Sequence, residues 1–160
     1  GSGSRMGGEV PKQFLALNGT PILALTVSRF LQVDGLRKVI VVVPAEHREA
    51  AATLLCDLLP AGDANRLVLV NGGTTRQESV REGLAALPPG TATVLVHDGA
   101  RPFVSAEIIE RCLQAAEQDG AAIAAIRSVS LTRQDPMLCS VLGPSANSAA
   151  TAIVIAASGM

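Results

Sequence analysis

Three stretches of this chain hold residues whose types and spacing suit phosphate chemistry. The first is Gly1-Ser2-Gly3-Ser4-Arg5-Met6-Gly7, with Pro11-Lys12-Gln13 close behind. Glycines let backbone N–H groups converge on an anion. Arg5 can add a bidentate contact to phosphate oxygens and Lys12 a compact charge. The same Gly-Ser run also has the composition of a linker, and no Gly-Lys-Ser/Thr follows to make it a Walker A loop. The second stretch is His97-Asp98-Gly99-Ala100-Arg101-Pro102, directly after an apolar run at 93–96. A carboxylate at the end of a buried strand suits Mg²⁺, which takes oxygen ligands and bridges phosphates. Arg101 suits a second phosphate. A turn in which Asp98 simply pairs with Arg101 fits those residues equally well. His97 reads as a packed strand-end residue rather than a base. The third stretch is Gly72-Gly73-Thr74-Thr75-Arg76-Gln77-Glu78-Ser79-Val80. Its N–H groups and Ser79 could read a base or a ribose. It could also be a glycine turn with a threonine cap and Glu78 in the first helical turn. Together the stretches read as a site that joins a nucleotide to a phosphorylated substrate.

Elements able to position such a site alternate along the chain. The β-branched run at 39–43, ending at Pro44, predicts a strand buried on both faces, and 67–70 and 93–96 read the same way. Residues 121–126 are a weaker strand candidate because alanine also suits helix. Helical spacing links Ile22, Leu25, Thr26, Arg29 and Phe30, and it places Ala51, Leu54, Leu55 and Leu58 on one face of a helix over 45–59. A third helix is expected over 77–87, stopped by Pro88-Pro89-Gly90. A fourth is expected from a Ser105 N-cap to Gln118, before Asp119-Gly120. This order predicts an α/β fold, Rossmann-like, with a mostly parallel twisted sheet flanked by helices. In such sheets ligands sit beyond the carboxyl ends of the strands, where Gly72-Gly73 and His97-Asp98 fall.

Composition narrows the classes. The 160 residues are 48% apolar and 17% charged, which suits one globular domain with a real core. A net charge of −1 argues against a general nucleic-acid binder. No apolar run reaches membrane-span length, and no signal peptide is recognisable. Cys56, Cys112 and Cys139, odd in number and widely spaced, fit reduced thiols and a cytoplasmic setting.

Four motifs occur in one order: Gly-x-Gly-x-Arg-Met-Gly at 1–7, Pro-Lys-Gln-Phe at 11–14, Gly-Gly-x-x-Arg-Gln-x-Ser-Val at 72–80 and His-Asp-Gly-Ala-Arg-Pro-Phe-Val at 97–104. This chain resembles the 2-C-methyl-D-erythritol 4-phosphate cytidylyltransferase family over about residues 1–126. The resemblance implies a nucleotidyltransferase that makes CDP-methylerythritol and pyrophosphate from CTP and methylerythritol phosphate, with Mg²⁺ as cofactor. It implies that Gly1, Gly3, Arg5 and Lys12 hold the triphosphate, with Arg5 and Lys12 catalytic. It implies that Gly73, Thr74 and Ser79 recognise cytosine and ribose, and that Asp98 and Gly99 lie by the nucleotide. Asp98 would also serve the metal and the acceptor, Arg101 would place the acceptor, and Arg76 would order its loop. A homodimer is the family's habit, but its dimer arm is not recognisable here. Ribitol-5-phosphate cytidylyltransferase is a same-fold alternative, against which Gly99-Ala100 leans. A CTP-binding remnant without turnover and a plain interaction domain are the other readings.

After residue 126 the texture changes, and the pattern of the family is truncated or altered. Residues 1–126 are therefore read as the nucleotidyltransferase core and 127–160 as an atypical tail of the same domain. Within the tail, 151–157 is strand-like and leads into small residues. That segment is expected to fill a slot beside the 39–43 strand, because an empty central slot would leave two strand edges unpaired.

Overall fold

The computed structural model describes residues 11–124, 140–142 and 151–156. A short 3-10 turn at Lys12–Phe14 leads into a small hairpin, β1 (Ala16–Leu17) and β2 (Thr20–Pro21). Then follow α1 (Ile22–Leu31), β3 (Leu36–Val43), α2 (Arg48–Leu58), β4 (Leu67–Asn71), α3 (Arg76–Ala85), β5 (Thr93–Asp98) and α4 (Ala106–Asp119). Three further strands complete the set: β6 (Ala121–Ile123), β7 (Ser140–Leu142) and β8 (Thr151–Ala156). Among the described residues the main sheet has six strands in the order β4-β3-β8-β5-β7-β6. The first four are mutually parallel, and β7 and β6 extend the sheet antiparallel beyond β5.

The tail strand β8 lies in the middle. It pairs in parallel with β3 on one side (Val39 opposite Ile153) and with β5 on the other (Leu95 opposite Ile153). Ile153, Val154 and Ile155 are fully buried. A strand interior to a parallel sheet is covered on both faces, which is why this one is a continuous apolar run.

Strand pleating divides the core in two. Val39, Val41, Val43, Leu95, Ile153 and Ile155 face α1, α2 and α4 through Phe30, Leu55 and Ile109. Ile40, Val42, Val94, Val96 and Val154 face α3 through Val80 and Leu84. Helix α3 approaches closely because it carries glycine. A Cβ at Gly83 would lie 2.4 Å from Val154 Cγ1 and 2.8 Å from Val42 Cγ2.

Several expectations need correction in detail. The strand at 67–70 is an edge strand, only half-buried, because nothing pairs with its outer side among the described residues. Helix α1 buries Leu23, Val27 and Phe30, while Leu25 is half-buried and Arg29 exposed. Its apolar residues surround most of the helix, so spacing alone did not identify the buried face. Leu58 is half exposed, because α2 buries only Ala51 and Leu55 fully. The strand expected over 121–126 is Ala121–Ile123 and runs antiparallel at the far edge. Helix α4 is capped as its sequence predicts. The Ser105 hydroxyl accepts from Ile108 N, and Gly120 ends the helix at φ +80°.

Candidate active site

The four parallel strands end on one edge of the sheet, and the chemistry-bearing segments gather there. Beyond β3, the chain continues through Pro44 to His47, whose ring meets Phe14 edge-on at 5.4 Å. That contact fixes the turn carrying half-buried Lys12 near the carboxyl end of β3. Gln13 between them is buried. Beyond β4 comes the Gly72–Gly73 turn, and beyond β5 the loop from Asp98 to Arg101. Beyond β8, the carbonyl of Ala156 accepts from Gly99 N at 2.9 Å.

The loop after β4 is folded back tightly on the first turn of α3. Thr75 is the N-cap: its hydroxyl accepts from Glu78 N at 3.1 Å, and the Glu78 side chain accepts from Thr75 N in return. This is a capping box, in which two helix-end donors are satisfied reciprocally. Glu78 Oε2 also accepts from Thr74 N at 2.8 Å and from the Thr74 hydroxyl at 2.6 Å. The Thr74 hydroxyl, then the backbone N–H groups of Thr75 and Thr74, hold the Glu78 carboxyl below its ordinary pKa. A Cβ at Gly73 would stand 2.3 Å from Glu78 Cβ, and one at Gly72 would stand 2.8 Å from Ser79 Oγ. Neither position accommodates a side chain while the loop keeps this fold. Ser79 is buried, its hydroxyl within reach of the Thr75 carbonyl at 2.9 Å and the Gly73 carbonyl at 3.4 Å. In this state Thr74 and Ser79 therefore brace the loop with the groups assigned to cytosine and ribose.

Asp98 ends β5 and joins two loops. Arg76, the first residue of α3, donates to Asp98 Oδ1 from Nε at 3.0 Å and from Nη2 at 2.9 Å. Arg101 donates from Nε to Asp98 Oδ2 at 3.1 Å. The backbone tightens the turn, since Arg101 N donates to the Asp98 carbonyl at 3.2 Å. The Asp98–Arg101 pairing was readable from spacing. The Arg76–Asp98 pairing was not, because the partners lie 22 residues apart on different elements. The signal available was topological: Asp98 is the carboxyl end of one parallel strand, and Arg76 follows the carboxyl end of another.

Arginines on both oxygens bear on the expected metal site. No group of three His, Cys, Asp or Glu side chains lies together among the described residues. A Mg²⁺ held by protein side chains at Asp98 does not fit a lone carboxylate whose two oxygens are each ion-paired to a guanidinium.

His97 points away from this edge into the core, 2% exposed, with its ring edge-on to Phe30 at 4.8 Å. Its Nδ1 is buried without a hydrogen-bond partner among the described residues. Burial pushes its pKa down to about 4, against the opposing pull of Asp98. It is a neutral packing residue, as its strand-end position predicts. The Thr26 hydroxyl, on α1, donates to the Gly99 carbonyl at 3.0 Å and so supports the loop from Asp98 to Arg101. Gly1, Gly3 and Arg5 lie outside the described residues, as does Cys139.

The family profile of IspD, 2-C-methyl-D-erythritol 4-phosphate cytidylyltransferase, matches residues 1–136. The chain is 45% identical over 126 residues to a bifunctional IspD/IspF enzyme of Desulfotalea psychrophila, covering 79% of this chain and 32% of that one. It is 41% identical over 133 residues to a 2-C-methyl-D-erythritol 4-phosphate cytidylyltransferase of Phocaeicola vulgatus, covering 83% of this chain and 59% of that one. A crystal structure of the cytidylyltransferase from Thermus thermophilus superposes with TM-score 0.61 at 28% identity, covering 83% of this chain and 65% of that one. A synthase structure from Anaerococcus prevotii has TM-score 0.67 at 23% identity, covering 82% and 63%, and supports the fold. The chain thus spans about a third to three fifths of the length of these two curated relatives. With the motifs, the nucleotidyltransferase fold and the profile match in agreement, the chain belongs to the 2-C-methyl-D-erythritol 4-phosphate cytidylyltransferase family.

Proposed function

We propose that this chain transfers a cytidylyl group from CTP to 2-C-methyl-D-erythritol 4-phosphate. The observation that carries this reading is Asp98, gripped from one side by the loop after β4 and from the other by its own loop. The first loop is the one assigned to the nucleotide, and the second is the one assigned to the acceptor. A reaction between two phosphates needs both held at one place.

In the proposed reaction an acceptor phosphate oxygen attacks the α-phosphorus of CTP. The new P–O bond forms as the bond to the bridging α–β oxygen breaks, and pyrophosphate leaves with that electron pair. The protein's contribution is positioning and charge stabilisation. Lys12, with Arg5 and the Gly1–Gly3 backbone as the resemblance assigns them, would balance charge on the triphosphate and the departing pyrophosphate. Gly73, Thr74 and Ser79 would exchange their present bonds within the loop for bonds to cytosine and ribose. Asp98 and Gly99 would fix the edge of the nucleotide site, and Arg101 would meet the acceptor phosphate. Asp98 is not a Mg²⁺ ligand in this proposal, because each of its oxygens is ion-paired to an arginine. A cytoplasmic setting belongs to the same proposal; no helix of the described residues is long and apolar enough to cross a membrane.

Nucleotide selectivity tests the reading without depending on turnover. CTP is expected to raise the melting temperature more than UTP or ATP at equal concentration, since a ligand that binds only the folded state stabilises it by mass action. No nucleotide-dependent shift would favour an interaction domain. A CTP shift without any effect of methylerythritol phosphate would favour the nucleotide-binding remnant.

A further inference from the structure

Asp98, Arg76 and Arg101 form an unequal triad. Arg76 places two N–H groups on one carboxylate oxygen, whereas Arg101 places only its Nε on the other. Arg101 sits three residues on in the same turn and is close enough to Asp98 for a two-point fork, the geometry that guanidinium and carboxylate prefer. It does not make that fork. One oxygen is already held by Arg76, and both Nη groups of Arg101 have no hydrogen-bond partner among the described residues. The Arg101 side chain is 27% exposed and the Asp98 side chain 18%, so solvent reaches part of both. Two guanidinium groups against one carboxylate also leave one surplus positive charge within the triad. A planar Nη edge with surplus charge is suited to two oxygens of a phosphate monoester.

We propose that Arg76 is a positioning residue: by holding Oδ1 of Asp98 it keeps the Nη edge of Arg101 open to the acceptor's phosphate. Without Arg76, Asp98 is free to swing from Nε onto the Nη edge of Arg101 and cover the groups that meet the acceptor. Asp98 then serves as an anchor between two arginines rather than as a metal ligand. The inference rests on the cytidylyltransferase reading for the identity of the acceptor. It differs from a role for Arg76 in ordering its own loop, which would act on the nucleotide.

Two substitutions and two probes test it. Arg76→Gln removes the charge and the grip, while Arg76→Lys keeps the charge and the helix start but loses the two-point hold. With methylerythritol phosphate as varied substrate, both variants should raise its KM about tenfold, the scale of one charge-assisted hydrogen bond, with the KM for CTP unchanged within about twofold. An increase confined to CTP would assign Arg76 to its own loop and overturn the proposal. Normal kinetics in Arg76→Lys would show that only charge matters, which also overturns it. The second probe is inorganic phosphate, followed by the ¹⁵Nε resonance of Arg101. Phosphate should shift that resonance in the wild type and should be needed at about tenfold higher concentration in Arg76→Lys. An unresponsive wild-type resonance, or equal affinity in the variant, contradicts the proposal. If methylerythritol phosphate proves not to be a substrate while the phosphate titrations behave as expected, the acceptor assignment falls and the role of Arg76 stands.

Discussion

The backbone N–H of Gly99 donates to the carbonyl of Ala156 at 2.9 Å, fastening the loop that carries Asp98 and Arg101 to the end of the C-terminal strand. Strand β8 therefore supports the site as well as the core. It is paired along both sides, and three of its side chains are completely buried. Removing residues 151–160 is expected to abolish the cooperative thermal transition, because it opens two interior sheet edges and uncovers apolar surface on β3 and β5. Circular dichroism melting checks this, and an unchanged transition would mean that β8 does not hold this slot in solution.

Gly83 tests the close packing of α3 on the same strand. In an isolated helix, Gly→Ala stabilises by up to about 1 kcal/mol. Here the added methyl would meet Val154 and Val42 at distances that packed Cβ atoms essentially never show. Both neighbours are buried β-branched side chains with little room to move. Gly83→Ala is therefore expected to lower stability by about 1–3 kcal/mol, the usual scale of overpacking, in urea denaturation. A stabilised variant would show that α3 sits further from the sheet.

His97 gives a pH signature. Its folded-state pKa lies near 4 and its unfolded value near 6.5, so the unfolded chain binds more protons between those limits. Stability is therefore expected to fall as pH drops from 6.5 towards 4 and to be unaffected by this group above that window. The full effect is about 3 kcal/mol as an order of magnitude. Comparing the wild type with His97→Gln by urea denaturation at pH 7 and pH 4.5 isolates the contribution. The difference between the two proteins should change with pH in favour of the variant at acid pH. A constant difference would mean that His97 is charged or solvated in the folded state.

Much of this architecture is legible in the sequence, and the exceptions have physical causes. Strand β3 is evident because a β-branched run has few other homes, and α4 because Ser105 and Gly120 mark its ends chemically. The buried face of α1 is not legible, since Leu23, Leu25, Val27 and Phe30 offer more apolar surface than one face needs. The edge position of β4 is likewise invisible, because Leu67, Val68, Leu69 and Val70 have the composition of an interior strand. At the site, local spacing exposes Asp98–Arg101 and the Thr75–Glu78 cap. It says nothing of Arg76–Asp98, which exists only because the topology brings the start of α3 to the end of β5.

The most direct measurement of the central claim is pyrophosphate release from CTP and Mg²⁺ with methylerythritol phosphate, run beside ribitol phosphate. Release is expected to depend on methylerythritol phosphate and to fall by orders of magnitude in Lys12→Ala and in Asp98→Ala, with both variants still folded. Release supported equally by ribitol phosphate, or unaffected by either substitution, would contradict the assignment.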